Sequence, residues 1–118
     1  MSTAIEKRPW GTFQVLLDSK NCKVKQITVN PNQRLSYQYH HHREEFWTMV
    51  SGTGTVTLEG KDITVNQKEQ IHIPLKAKHR ISNKTNDPLI FIEIQMGTYF
   101  GEDDIIRLDD DYNRSSTD

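Results

Sequence analysis

The chain has 118 residues, 34% of them hydrophobic, with 15 basic and 16 acidic side chains for a net charge of −1. That length suits one domain with a modest core and excludes a multidomain enzyme within these residues. The near-neutral charge gives no global field to recruit nucleic acid or an anionic membrane, though the region before residue 102 is mildly basic and suits a small anionic molecule.

The composition carries the first structural clue. Eleven Ile, eleven Thr and six Val stand against two Ala, a bias toward β-branched side chains that fit pleated strands and lose rotamer freedom in helices. Short alternating runs bounded by turn formers predict strands over 12–17, 23–29, 34–40, 46–51, 54–58, 62–65, 70–73, 79–83 and 89–96. The turns between them include Asn30-Pro31-Asn32, Ser51-Gly52, Glu59-Gly60-Lys61 and Asn86-Asp87-Pro88. Strands at this spacing predict an all-β sandwich or barrel. Residues 1–7 and 115–118 read as frayed ends, and 101–112 as a short helical or irregular tail. No repeat or linker divides the chain, so one domain over 1–118 is expected, with its core over about 8–114.

The lone cysteine, Cys22, cannot close an internal disulfide and points to a reducing compartment. No apolar run reaches the roughly 18 residues of a membrane span, and no charged segment leads into an apolar one at the start. A soluble, cytoplasmic protein that binds neither membrane nor nucleic acid is expected.

Three of the five histidines are consecutive. On a strand, Gln38, His40 and His42 share one face, with Tyr37, Tyr39 and His41 on the other. Glu45, Trp47 and Met49 share a face of the next strand, and His79 opens a later one. Imidazole, carboxylate and amide oxygen are all competent ligands for a borderline divalent metal. Two readings fit the histidine run by itself: a polar rim at a strand end, or a metal-binding face.

Spacing separates them. Asn32, Gln38-Tyr39-His40, Glu45 and Gly52 follow the spacing of the first cupin motif, with Gln38 in the place of its first histidine. Lys68, Pro74-Leu75-Lys76, His79 and Asn83 follow that of the second. Arg8-Pro9-Trp10-Gly11, the run over 35–47, Ile73-Pro74, the runs over 79–83, 92–95 and 97–107, and Asp111-Tyr112-Asn113-Arg114 together resemble the cupin domain of type II phosphomannose isomerases. Phe46 stands where that family has histidine. Asn32, Lys68, Lys76 and Asn113 stand where the patterns have glycine.

The resemblance implies a double-stranded β-helix, a jelly-roll sandwich, with one divalent ion in its mouth. Its ligands would be Gln38, His40, Glu45 and His79. Zinc comes first among candidates that include manganese, cobalt, nickel and iron. The implied reaction is the interconversion of mannose 6-phosphate and fructose 6-phosphate. The alternatives are another sugar-phosphate or nucleotide-sugar isomerase or epimerase, or a non-catalytic sugar-binding module. Guanylyltransferase activity belongs to a domain outside this chain and is not expected of it. His42, in the same alternating phase as His40, is the expected proton carrier, with Asp104 or a metal-bound hydroxide as its substitutes. Arg43 and Arg107 are expected to hold the phosphate. The remaining aspartates, Asp103 and Asp109 to Asp111, read as a solvated acidic face, and Trp10 and Trp47 as packing residues. The segment over 89–96 is apolar on both faces, which predicts a homodimer.

Overall fold

The computed structural model describes residues 4–113. Within them the strands run β1 (Ile5–Arg8), β2 (Gly11–Asp18), β3 (Cys22–Val29), β4 (Tyr37–His40), β5 (Arg43–Ser51), β6 (Gly54–Leu58), β7 (Lys61–Val65), β8 (Gln70–Ile73), β9 (His79–Ser82), β10 (Leu89–Gly97) and β11 (Ile105–Asp109). They form two antiparallel sheets, ordered β1-β2-β3-β10-β5-β8 and β11-β4-β9-β6-β7. This is the expected jelly-roll sandwich. No helix among the described residues is long and apolar enough to cross a membrane.

All nine predicted strands form, and the differences lie at their ends. Ile5–Lys7, expected to fray, pairs with β2 in the register Ile5 to Gln14. The tail over 101–112, expected to be helical or irregular, makes one 3-10 turn at Glu102–Asp104 and then β11, which pairs with β4. A register shift between Arg107 and Asp109 breaks the alternation there, which hid the strand in the sequence. Arg34 touches the sheet only through an isolated bridge to Ser82, so β4 begins at Tyr37. β5 begins at Arg43, three residues earlier than expected. The expectation for 115–118 lies outside the described residues, as does Arg114.

Strand alternation sorts the interior into two halves. Toward one end, Ile27, Val29, Trp47, Met49, Leu89 and Phe91 from the first sheet meet Val56 and Ile81 from the second in a closed apolar core. Each such side chain contributes about 1.5–3 kcal/mol by leaving water. Toward the other end the same inward positions become polar. Lys25 faces Glu93, which faces Trp47, and Gln95 faces Glu45. Opposite them β4 and β9 bring Gln38 against His79. A sandwich that is apolar at one end and charged at the other has its site built into the open end.

Candidate metal centre and its cavity

His40 ends β4, Glu45 is the third residue of β5, and His79 opens β9. Three strands from both sheets thus converge, and one ligand atom from each residue lies within 4.8 Å of the others. All three side chains are buried. His40 Nε2 and Glu45 Oε2 are 3.2 Å apart. Two ligand atoms each about 2.1 Å from one ion, at right angles, lie about 3.0 Å apart, so the spacing suits adjacent corners of a coordination polyhedron.

Protonation suits a metal too. His79 Nδ1 sits 2.8 Å from the Ala77 carbonyl. A carbonyl only accepts, so Nδ1 carries the proton and Nε2 presents its lone pair. Burial pushes the His79 imidazole down to about 4, which keeps it neutral at pH 7. Burial by itself would raise the Glu45 carboxyl; the Arg43 guanidinium and then His40 outweigh it and hold it well below the usual carboxylate range. His40 Nδ1 is buried without a hydrogen-bond partner among the described residues. A neutral His79 imidazole, an ionised Glu45 carboxylate and the orphaned His40 ring nitrogen fit a divalent ion.

The ligands are held in turn by their neighbours. Arg43 donates from Nε to Glu45 Oε2 at 2.8 Å, and Trp47 from Nε1 to Glu45 Oε1 at 3.0 Å. Trp47 also sets its ring edge-on to His79, with centroids 5.7 Å apart. Gln38 anchors its amide nitrogen on Ser36 Oγ at 3.0 Å, leaving its carbonyl oxygen as the atom to offer. Gln38, Glu45 and His79 line one cavity of about 590 Å³, its open mouth included, shared with Arg8, Lys25 and Arg107.

Several expectations are corrected by this geometry. His42 does not share the inward face of His40, because the chain bends at His41 and His42 between β4 and β5 and alternation fails there. Its side chain is 55% exposed and leans on Asp104, with Nδ1 2.9 Å from Oδ1. Asp104 is buried and accepts from the backbone N–H of His41 and of His42, so it clamps the bend instead of facing the cavity. Gly97 packs against the same bend, where a Cβ would come within 2.1 Å of the His42 carbonyl oxygen. Arg43 is not a solvated strand-end arginine free for phosphate; it is committed to Glu45. Arg107 lines the cavity, placed there by its register opposite Gln38, and Arg43 lines it too. The acidic face is largely paired: Asp109 with Arg80, Asp111 with Arg34, and Asp103 with the Tyr99 hydroxyl. Trp10 and Trp47 are buried packing residues, the second also a Glu45 partner.

Departures from the family pattern fall away from the cavity. Phe46 points outward, half-exposed and stacked on His72 with ring centroids 4.5 Å apart. Asn32, Lys68, Lys76 and Asn113 all adopt positive φ, between 55° and 75°, where glycine is the default residue.

Two charged cavity residues on predicted strands, Glu93 and Lys25, are not among the expected site residues. Glu93 accepts from Gln95 Nε2 at 2.6 Å, and burial, with the Glu45 carboxylate nearby, pushes its carboxyl up to about 8. Lys25 places Nζ 3.3 Å from Glu102. Their signal is in the alternation: Lys25 precedes Ile27 and Val29, and Glu93 follows Leu89 and Phe91, each a charge in the buried phase of its strand.

A family model described as mannose-6-phosphate isomerase C-terminal matches residues 3–110. The alginate biosynthesis protein AlgA of Pseudomonas aeruginosa is 45% identical over 109 residues, covering 92% of this chain and 23% of that protein. A mannose-1-phosphate guanylyltransferase of Klebsiella pneumoniae is 44% identical over 107 residues, 91% of this chain and 23% of the relative. The chain therefore spans under a quarter of the relatives it matches. Among solved structures, the capsular polysaccharide assembling protein CapF of Staphylococcus aureus superposes with a TM-score of 0.81 at 18% identity, covering 92% of this chain and 34% of that one. A cupin-superfamily sugar phosphate isomerase of Silicibacter pomeroyi superposes with a TM-score of 0.66 at 17% identity, over 74% of this chain and 59% of that one. At these identities the structural likeness speaks for the fold alone.

Proposed function

The chain belongs to the mannose-6-phosphate isomerase C-terminal family, and on that premise we propose that it is a metal-dependent aldose–ketose isomerase interconverting mannose 6-phosphate and fructose 6-phosphate. The observation that supports this most is the buried His40–Glu45–His79 cluster opening into a cavity whose walls carry arginine and lysine. That combination offers a metal beside room for an anionic polyol.

In this reading His40, Glu45 and His79 hold the ion, with the Gln38 carbonyl oxygen as a fourth donor. When bound there, a divalent ion supplies Lewis-acid polarisation of a carbonyl oxygen, worth several kcal/mol to a developing oxyanion. Arg43 and Trp47 keep Glu45 fixed, so that the metal-binding face is set before substrate arrives. Arg107, from the edge strand of the other sheet, adds positive charge to the cavity wall, and the remote binding energy of the phosphate positions the reacting carbons. Trp47, Ile27 and Ile81 close the apolar end of the cavity against water. Isomerisation moves a proton between carbons 1 and 2, and the carboxyls in this cavity outside the ligand set are Glu93 and Glu102. His42 and Asp104, facing the other way, take no part.

The test is an assay of metal-loaded protein against a panel of aldose and ketose phosphates, followed by proton NMR in deuterated water. Turnover of mannose 6-phosphate with exchange at carbon 2 is expected. Tight binding without turnover in every metal form would replace the isomerase with a sugar-binding module.

A further inference from the structure

Phe13 stands at the corner of the cavity where β1, β2 and β3 meet, and two cations approach its ring. The Arg8 guanidinium carbon lies 4.7 Å from the ring centroid, and Lys25 Nζ lies 4.3 Å from it. Both residues line the cavity. Their placement follows from register: Arg8 pairs with Gly11 and Glu6 with Phe13, so Arg8 shares the inward face of Phe13, and Lys25 takes the same face one strand over.

Two like charges around one ring oppose each other, and the ring quadrupole compensates only in part, by about 0.5–2 kcal/mol per cation. Lys25 is buried and has Glu102 as its partner at 3.3 Å. Among the described residues, Arg8 is partnered by the Lys7 carbonyl at 2.9 Å and by Glu6 at 3.6 Å, a half-exposed and solvent-screened carboxylate. The corner thus sets two cations on one ring at the cavity wall, Lys25 balanced by Glu102 and Arg8 only by a screened carboxylate among the described residues. A dianion with several acceptor oxygens satisfies both groups at once, and the planar fork of an arginine suits it in particular.

We propose that Arg8 and Lys25, flanking Phe13, form the subsite that binds the phosphate group of the substrate, with Arg8 its main specificity residue. This rests on the isomerase reading for the identity of the substrate, but the anion site is testable without it. The sequence pattern points to Arg43 and Arg107 for this role; Arg8 lies on β1, an edge strand whose exposed side chains leave no alternation.

The experiment is calorimetric titration of the full chain, metal-loaded, with inorganic phosphate and then with mannose 6-phosphate and unphosphorylated mannose. Wild type is expected to bind phosphate, and Arg8→Gln to weaken both phosphate and mannose 6-phosphate by about 10- to 100-fold, the usual loss for a charged hydrogen-bonding contact. Arg8→Lys should recover part of that loss. Metal stoichiometry and circular dichroism check that Arg8→Gln is folded. Lys7→Gln removes the same charge from the outward face of the same strand and should leave phosphate binding unchanged. Equal binding by Arg8→Gln and wild type, no phosphate binding by wild type, or equal weakening by Lys7→Gln overturns the subsite. Phosphate binding lost in Arg8→Gln, in a wild type that turns over no sugar phosphate, would sustain the subsite and overturn the isomerase reading instead.

Discussion

Arg43 and Glu45, two residues apart on β5, are joined by a 2.8 Å hydrogen bond from Nε to Oε2, and both side chains are buried. The pair decides what each residue can do. Glu45 is ionised and fixed because Arg43 is there, and Arg43 is neutralised by the carboxylate it serves.

Replacing Arg43 therefore acts on the metal and on stability. Arg43→Gln leaves the Glu45 carboxylate without its guanidinium, and removing one partner of a buried ion pair costs about 3–5 kcal/mol. Metal affinity is expected to fall about 10- to 100-fold, as for other residues that orient a metal ligand. Metal titration and thermal melts check both. An Arg43→Gln protein that keeps its metal affinity and stability but shows a raised KM for phosphorylated sugar would return Arg43 to the phosphate.

The His42–Asp104 pair gives a contrasting result. His42→Ala removes one exposed contact and should leave metal content and catalytic rate close to wild type. Asp104→Ala frees two backbone N–H groups at the bend and should cost about 2–4 kcal/mol. Burial pushes the Asp104 carboxyl up, but its hydrogen bonds from His42 and from the two backbone amides prevail and hold it below 3.8. A depressed native value contributes stability that is complete above the unfolded value and lost as pH falls through the native one. The acid limb of a stability–pH profile below about pH 4 should flatten in Asp104→Asn. An unchanged acid limb would contradict the clamp.

Backbone strain predicts a stabilised variant. Lys68 and Lys76 are exposed residues at φ 75° and 64°, and their backbone N–H groups donate to Met49 and His40. Glycine keeps both hydrogen bonds and relieves a left-handed strain of about 1–2 kcal/mol at each, offset by about 1 kcal/mol of extra unfolded-state freedom. Lys68→Gly with Lys76→Gly should gain about 1 kcal/mol in total, a few degrees in thermal midpoint. A lower midpoint would show that the lysine side chains contribute contacts that outweigh the strain.

Sedimentation is expected to give twice the 13.8 kDa chain mass. The outward face of β10 and β5 carries Ile90, Ile92 and Ile94, with Val50 and Met96 exposed. Ile92→Lys should shift that equilibrium to monomers. A wild-type monomer at micromolar concentration would remove the dimer.

Much of this was legible before any coordinates. Period-two alternation located nine strands, most plainly β3, β5 and β10, whose buried and outward residues alternate. The ligand spacing located His40, Glu45 and His79, because the motif fixes which strands they end or begin. Alternation misled at His42, since a bend intervenes and parity does not survive it. It also hid β11, where the register slips, and β1, whose side chains are mostly exposed and bury too little to leave a pattern. Lys25 and Glu93 were passed over because an inward charge reads as an interruption of a strand until the facing sheet shows what surrounds it.

In the proposed isomerase, the His40–Glu45–His79 cluster holds the ion on which the reaction depends. The most direct measurement is the mannose 6-phosphate isomerase rate followed against metal occupancy, from chelator-stripped to fully reloaded protein, beside His79→Ala. The rate is expected to rise in proportion to bound metal and to saturate at one ion per chain, with His79→Ala binding no metal and turning over nothing. Full activity in the stripped protein, or in His79→Ala, would contradict it.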